Sequence, residues 1–158
     1  MESVRLAVPE DADVCASLCA RALEELSGAR GGNLFARRET GLIAKALLRP
    51  GGLRRLLSDG RRLVVLGLVD EVAVGIAVAR AESVGESLLG VIDAFFVEPE
   101  ARGVGVGRSM LDSVTTWLAA KGCKAVDAGA LPGERATKSF FESAGFKARL
   151  ITMHRELP

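Results

Sequence analysis

Val91-Ile92-Asp93-Ala94-Phe95-Phe96-Val97-Glu98-Pro99-Glu100-Ala101-Arg102-Gly103-Val104-Gly105-Val106-Gly107-Arg108-Ser109-Met110 reads as a strand, a glycine turn and the start of a helix. The strand is apolar apart from Asp93, and Pro99 stops it by removing an N–H donor and fixing φ. Gly103, Gly105 and Gly107 alternate just ahead of an amphipathic run that continues to Lys121. The first N–H groups of a helix have no partner of their own, so a glycine turn at that point is a built-in anion site. Two familiar phosphate-binding patterns fail here on single residues. A dinucleotide fingerprint needs a third glycine where Arg108 stands, and a P-loop needs lysine beside Ser109, where Arg108 stands again.

A chain of 158 residues, 49% of them hydrophobic, is long enough for one full core, and residues 1–158 are expected to form a single domain. Lys and Arg number 21 against 20 Asp and Glu. That balance argues against a nucleic-acid or membrane partner, so a charged ligand must be met by a local patch. Cys15, Cys19 and Cys123 repeat no ligand spacing, and the single histidine, His154, is remote from them; a reducing compartment and no metal are expected. Residues 1–10 lack the apolar centre of a signal peptide, and no run reaches the roughly 18 apolar residues of a membrane span. A cytoplasmic protein is expected.

Working outward, residues 4–8 suit a first strand, and Pro9, Glu10 and Asp11 suit the first turn of a helix running to about Ser27. Val14, Cys15, Leu18, Cys19, Ala22, Leu23 and Leu26 give that helix one apolar face, which makes the two cysteines core residues and not a metal pair. Three glycines between residues 27 and 33 predict a surface loop, followed by helices at 40–48 and 53–58. Arg49, Arg54, Arg55, Arg61 and Arg62 could recognise an acidic group or merely solvate this surface. Residues 63–69, 72–79 and 88–97 are valine-rich strands joined by short polar links, hence antiparallel. Met110, Leu111, Val114, Trp117 and Leu118 stripe the helix after the glycines, and residues 125–130 form the next strand. A right-handed crossover then sets the strands ending at Val97 and near Ala130 parallel. A last helix at 134–144 and a closing strand at 150–157 complete the chain.

Arg102-Gly103-Val104-Gly105-Val106-Gly107 resembles the Arg/Gln-x-x-Gly-x-Gly/Ala signature of the GNAT superfamily of N-acetyltransferases. Phe140-Phe141-Glu142-Ser143-Ala144-Gly145-Phe146 resembles its second motif, usually aromatic-Tyr-x-x-x-Gly-Phe, and residues 5–12 look like its first strand and helix. The resemblance covers essentially the whole chain. It implies an α/β (α+β) fold: a central mixed, mostly antiparallel sheet with one splayed parallel pair, flanked by about four helices.

It also implies acetyl-CoA as co-substrate, with pyrophosphate on the N–H groups of residues 103–108 (Gly103, Val104, Gly105, Gly107 and Arg108 among them), and Arg102 or Arg108 adding a charged contact. Pantetheine would lie along Phe95, Phe96 and Val97, with a backbone N–H of Phe96 or Val97 stabilising the oxyanion. Phe140, Phe141 and Glu134 would complete the cofactor surface, although the family often has asparagine at the position of Glu134. Asp93, lying on a face with Phe95 and Val97, resembles the catalytic acidic residue in the acidic-x-Phe-Phe-Val strand of polyamine acetyltransferases. It is the candidate general base, with an ion pair to Arg80 as the competing role. Asp127, Glu134 and His154 are weaker candidates. The main departure is Phe141, where the family commonly has the tyrosine that reprotonates the leaving thiolate; the chain has no tyrosine. Water or Ser139 could substitute.

The expectation is therefore transfer of an acetyl group to a primary amine of a small molecule or peptide by direct attack, with an acyl-CoA-binding sensor as the alternative. Residues 26–38, Asp93 and Asp127 would choose the acceptor: carboxylates favour a cationic amine, loop arginines an acidic one. An exposed edge strand or the closing strand could serve a homodimer.

Overall fold

The computed structural model describes all 158 residues. One sheet runs in the order β1 (Glu2–Leu6), β2 (Arg62–Val69), β3 (Val72–Val84), β4 (Ser87–Val97) and β5 (Ala125–Ala128). Neighbours are antiparallel except β4 and β5, which are parallel, as the crossover requires. Four helices lie between β1 and β2: α1 (Ala12–Ser27), α2 (Gly32–Arg38), α3 (Gly41–Leu48) and α4 (Gly52–Ser58). Helix α5 (Val106–Ala120) links β4 to β5, and α6 (Arg135–Ser143) follows β5.

The sheet is covered on both faces because β2 and β3 are apolar at nearly every position. Leu63, Val65, Ala77, Ala79 and Ile92 pack against α5, whereas Val64, Leu66, Ile76, Val78 and Phe96 pack against α1, α3 and α4. Three sheet glycines make room for α5. A Cβ would lie 2.5 Å from the Met110 Sδ at Gly67, 2.7 Å from it at Gly75, and 2.7 Å from Leu118 Cδ1 at Gly90. Met110 and Leu118 thus fill grooves that only a bare backbone leaves open.

Four expectations are corrected. The first strand is Glu2–Leu6, two residues earlier than read, because it pairs along β2 from Val69 to Val65. Six helices flank the sheet, not four, since the last two residues of the expected loop and the five after it coil into α2. The strand expected at 150–157 does not form: nothing after Ser143 is helix or strand, and Leu150, Ile151, Met153 and Leu157 are exposed. Strand β5 has only four residues, all paired to β4, and the Arg149 guanidinium is held by Asp127 beside it, so the tail leaves the sheet there. His154 is exposed on that tail.

The fourth concerns β4. Ala79 pairs with Ile92 and Val78 with Ala94, leaving Asp93 as an extra residue, a β-bulge. The bulge resets the alternation: Ile92 and Phe95 lie on the α5 face, Ala94 and Phe96 on the α1 face. Asp93 meets Arg62 and Arg80, which pair across β2 and β3. Both continue the row of Val64 and Val78, so Asp93 belongs to the α1 face and not to that of Phe95 and Val97.

Because Met110 is fully buried between sheet glycines that cannot refill its space, Met110→Ala should cost about 2–5 kcal/mol of unfolding free energy, read from urea denaturation.

Candidate active site

The parallel ladder joins only Leu89–Ile92 of β4 to Ala125–Ala128 of β5. From Asp93 onward β4 continues to Val97 with no strand on that side, while the chain after β5 turns away towards α6. The strands therefore part, and the gap opens into a cavity of about 490 Å³ that passes through the sheet from the α5 face to the α1 face.

The free edge of β4 presents alternate main-chain groups. Glu98 N–H donates to the Val74 carbonyl at 2.8 Å, and the Phe96 carbonyl lies towards β3, 3.1 Å from where a Cβ on Gly75 would be. By the period of two, Phe96 bonds into the sheet, whereas the N–H groups of Phe95 and Val97 face the gap. Of the two N–H groups read from the sequence as oxyanion donors, that of Val97 faces the gap and that of Phe96 does not.

At the mouth of the gap lies the glycine turn. Gly103 (φ 86°) and Gly105 (φ 97°) take left-handed conformations that direct the turn into the N-terminus of α5. The backbone N–H groups of residues 103–108 make no hydrogen bond within the chain; the first to do so is Ser109, to the Gly105 carbonyl at 3.1 Å. Six adjacent donors without partners thus stand at the positive end of a helix, where negative charge is favoured. Gly103, Gly105, Gly107 and Arg108 line the cavity, whereas Val104 is exposed outside it.

Arg102 is already engaged. Its Nε donates to the Val97 carbonyl at 2.8 Å and its Nη2 to Glu25 at 2.7 Å, so it ties the end of β4 to α1. Arg108 reaches Asp112 at 3.3 Å on the helix surface. Phe95, Phe140 and Phe141 form an aromatic wall, with ring centroids 5.3 Å apart for Phe95–Phe140 and for Phe140–Phe141. Phe141 also packs against Phe146, is 6% exposed and lines the cavity without a hydroxyl. Ser139 is exposed and does not line the cavity. Glu134 lines it and accepts a hydrogen bond from Thr137 Oγ1 at 3.0 Å.

Asp93 also lines the cavity, with its side chain only 8% exposed. Arg80 Nε lies 3.2 Å from it and Arg62 Nη1 3.6 Å away, while Oδ2 lacks an aligned hydrogen-bond donor. Burial pushes its carboxyl above the ordinary aspartate range, against the pull of Arg80 and then Arg62. Both roles read from the sequence, ion pair and cavity carboxylate, thus meet in one side chain. Asp127 is separated from them: its pairing with Arg149 holds it below the usual range, and it does not line the cavity.

Sequence reasoning missed Glu25, Thr40 and Leu131, which line the side of the cavity beyond β4 together with Phe35, a member of the 26–38 stretch expected to choose the acceptor. Thr40 is 4% exposed and donates to the Ala36 carbonyl at 3.0 Å.

A mixed sheet with one parted parallel pair and a glycine cradle at its mouth has the architecture of an acyl-CoA-dependent acyltransferase. The chain belongs to the acetyltransferase (GNAT) family, whose profile matches residues 19–146. No curated protein sequence matches it. Among solved structures it is similar to AAC(6')-Iy in complex with a bisubstrate analogue, CoA-S-monomethyl-acetylneamine (18% identity, 99% of each chain, TM-score 0.73). It also resembles an aminoglycoside acetyltransferase from an uncultured soil metagenomic sample in complex with sisomicin (15% identity, 99% of this chain and 97% of that one, TM-score 0.71). A third is ribosomal-protein-alanine N-acetyltransferase from Brucella melitensis biovar Abortus 2308 (18% identity, 100% of each chain, TM-score 0.67). At these identities the likeness is one of fold.

Cys19 belongs to the cavity wall, and burial pushes its thiol and that of Cys15 up to about 12. Thiolate is the reactive form, so an aromatic disulfide reagent at neutral pH should titrate only Cys123 of the three thiols in the native protein and all three in urea.

Proposed function

We propose that the protein transfers an acetyl group from acetyl-CoA to a primary amine by direct attack. The observation that carries this reading is the row of six unpaired N–H groups at residues 103–108, set at the mouth of the parted strands. Pyrophosphate is the ligand such a row fits, because main-chain donors and the helix dipole meet its charge without a side chain. The pantetheine arm follows the free edge of β4 at residues 95–97, against the wall of Phe95, Phe140 and Phe141, and the Val97 N–H faces the thioester oxygen.

The amine enters from the α1 face. Its nitrogen forms a bond to the thioester carbon, the carbonyl oxygen takes the negative charge beside Val97, and the C–S bond then breaks to release thiolate. The proton lost by nitrogen passes to Asp93 through water. Coenzyme A thiol, with a pKa of about 8–9 by analogy with cysteine, leaves tolerably without an acid and is protonated from solvent. Glu134 holds the start of α6 against the cofactor through Thr137. Arg102 acts by fixing the Val97 carbonyl, which anchors the end of β4 beside the gap, and not by binding phosphate.

Acetyl-CoA should raise the melting temperature, by about 2.7 kcal/mol of stability at a hundredfold excess over Kd, and Gly105→Val, at φ 97°, should abolish the shift. Free-thiol release with a panel of amines should be lost by at least about 100-fold in Asp93→Asn while the thermal shift persists. Because burial raises the Asp93 carboxyl and its ionised form is the base, kcat/KM should climb with pH through an inflection above the ordinary aspartate range. That inflection should vanish in Asp93→Asn. A thermal shift with no thiol release from any amine would instead indicate an acyl-CoA-binding sensor.

A further inference from the structure

The α1 side of the cavity differs in character from the cradle side. Ala22, Leu23 and Leu26 of α1, Ile43 of α3, Ile76 of β3 and Ala94 of β4 present only hydrocarbon to it. Its roof is Phe35 of α2 and Leu131 of the segment after β5. The Phe35 ring leans on bare backbone, since a Cβ on Gly129 would lie 2.8 Å from its Cε2; a Cβ on Gly31, at the foot of α2, would lie 3.7 Å from Leu131 Cδ2. Helix α2 is thus braced across the gap onto the chain leaving β5, and the two side chains cover part of the space beneath.

The polar groups in this half are few and mostly engaged. Thr40 Oγ1 donates to the Ala36 carbonyl, and Glu25 is held by Arg102. The exception is Asp93 Oδ2, buried at the inner end without an aligned donor. The arginines lining the cavity, Arg102 and Arg108, stand at the cradle, and of the carboxylates in this half Glu25 is already paired to Arg102, which leaves Asp93 at the inner end.

We infer that the acceptor is a small monoamine whose primary amino group sits on a compact apolar body, aryl or branched alkyl, held under Phe35 and Leu131 with its nitrogen towards Asp93. This rests on the acetyltransferase reading above and names the acceptor class for it. A polyhydroxylated amino sugar or a polyamine would bury several donors and charges here with nothing to receive them. Each unmatched hydroxyl weakens binding by roughly tenfold, and an unmatched ammonium by more.

Two measurements separate this inference from its foundation. The first is thiol release from acetyl-CoA with 2-phenylethylamine, isoamylamine, spermidine, neamine and an alanyl tetrapeptide amide. The second, independent of turnover, is the extra thermal shift each amine adds to protein saturated with coenzyme A. The apolar monoamines should show kcat/KM at least about 10-fold above spermidine, neamine and the peptide, and they alone should add a shift. Phe35→Ala should weaken 2-phenylethylamine about 10-fold in KM and leave the acetyl-CoA shift unchanged. Gly129→Ala, which drives the ring inward, should penalise 2-phenylethylamine more than isoamylamine. Preference for neamine, spermidine or the peptide, or Phe35→Ala acting equally on every amine, overturns the inference and leaves the acetyltransferase reading standing. An added shift from the apolar amines without thiol release upholds the pocket and overturns the reaction. An acetyl-CoA shift with no amine adding to it or reacting overturns the inference.

Discussion

Everything at the centre of this fold depends on β4 losing its neighbour after Ile92. A strand whose main-chain groups turn inward without partners is costly, since an unmade buried backbone bond forfeits roughly 1–3 kcal/mol. The residues around the gap limit that cost by keeping it open: a cavity runs through it, and the Phe95, Phe140 and Phe141 rings line its wall without sealing it. The same gap, continued by six free N–H groups at the start of α5, is a surface complementary to a long, thin ligand with amides along its length and phosphates at its end.

Keeping the strands apart requires bracing on the α1 side. Arg102 bonds both the Val97 carbonyl and Glu25, and Arg21 pairs with Glu98 just beyond the strand, so two ion pairs hold α1 to the end of β4. Exposed pairs contribute little to global stability, typically 0–1 kcal/mol each. Their use here is geometric: a guanidinium that fixes the Val97 carbonyl fixes the peptide plane shared with the Glu98 N–H, and with it the end of β4. On the far side the bare backbone at Gly129 admits Phe35 and closes α2 over the gap.

The order from β2 to β5, the crossover and the glycine turn before α5 were legible because each rests on local chemistry: alternating glycines, a proline after an apolar strand, a helical stripe from Met110 to Leu118. The closing strand was misread for the opposite reason. Leu150, Ile151 and Met153 have the composition of a strand, but pairing depends on a partner edge, and β5 ends at Ala128. The cavity wall on the α1 side was legible only in part: Phe35 fell within residues 26–38, but Thr40 and Leu131 join it only through tertiary packing of α2 across the gap, and nothing in their spacing announces it. The same limit applied to Phe96 and Val97, since which main chain faces the gap depends on the register of β4 against Gly75 and Ile76.

The bulge at Asp93 is where these constraints meet. Had β4 run regularly, Ile92, Ala94 and Phe96 would share one face, and an apolar strand with one inserted acid would have sent that acid towards α5. The extra residue instead keeps Ile92 in the α5 core and Phe96 in the α1 core, and turns Asp93 towards Arg62 and Arg80. Two guanidiniums make burial of a carboxylate affordable, but neither aligns with Oδ2. The outcome is a carboxyl raised by its burial, pulled back by its partners, and left with one oxygen that lacks an aligned donor. The bulge thereby sets this carboxyl on the cavity wall at the point where the strands part.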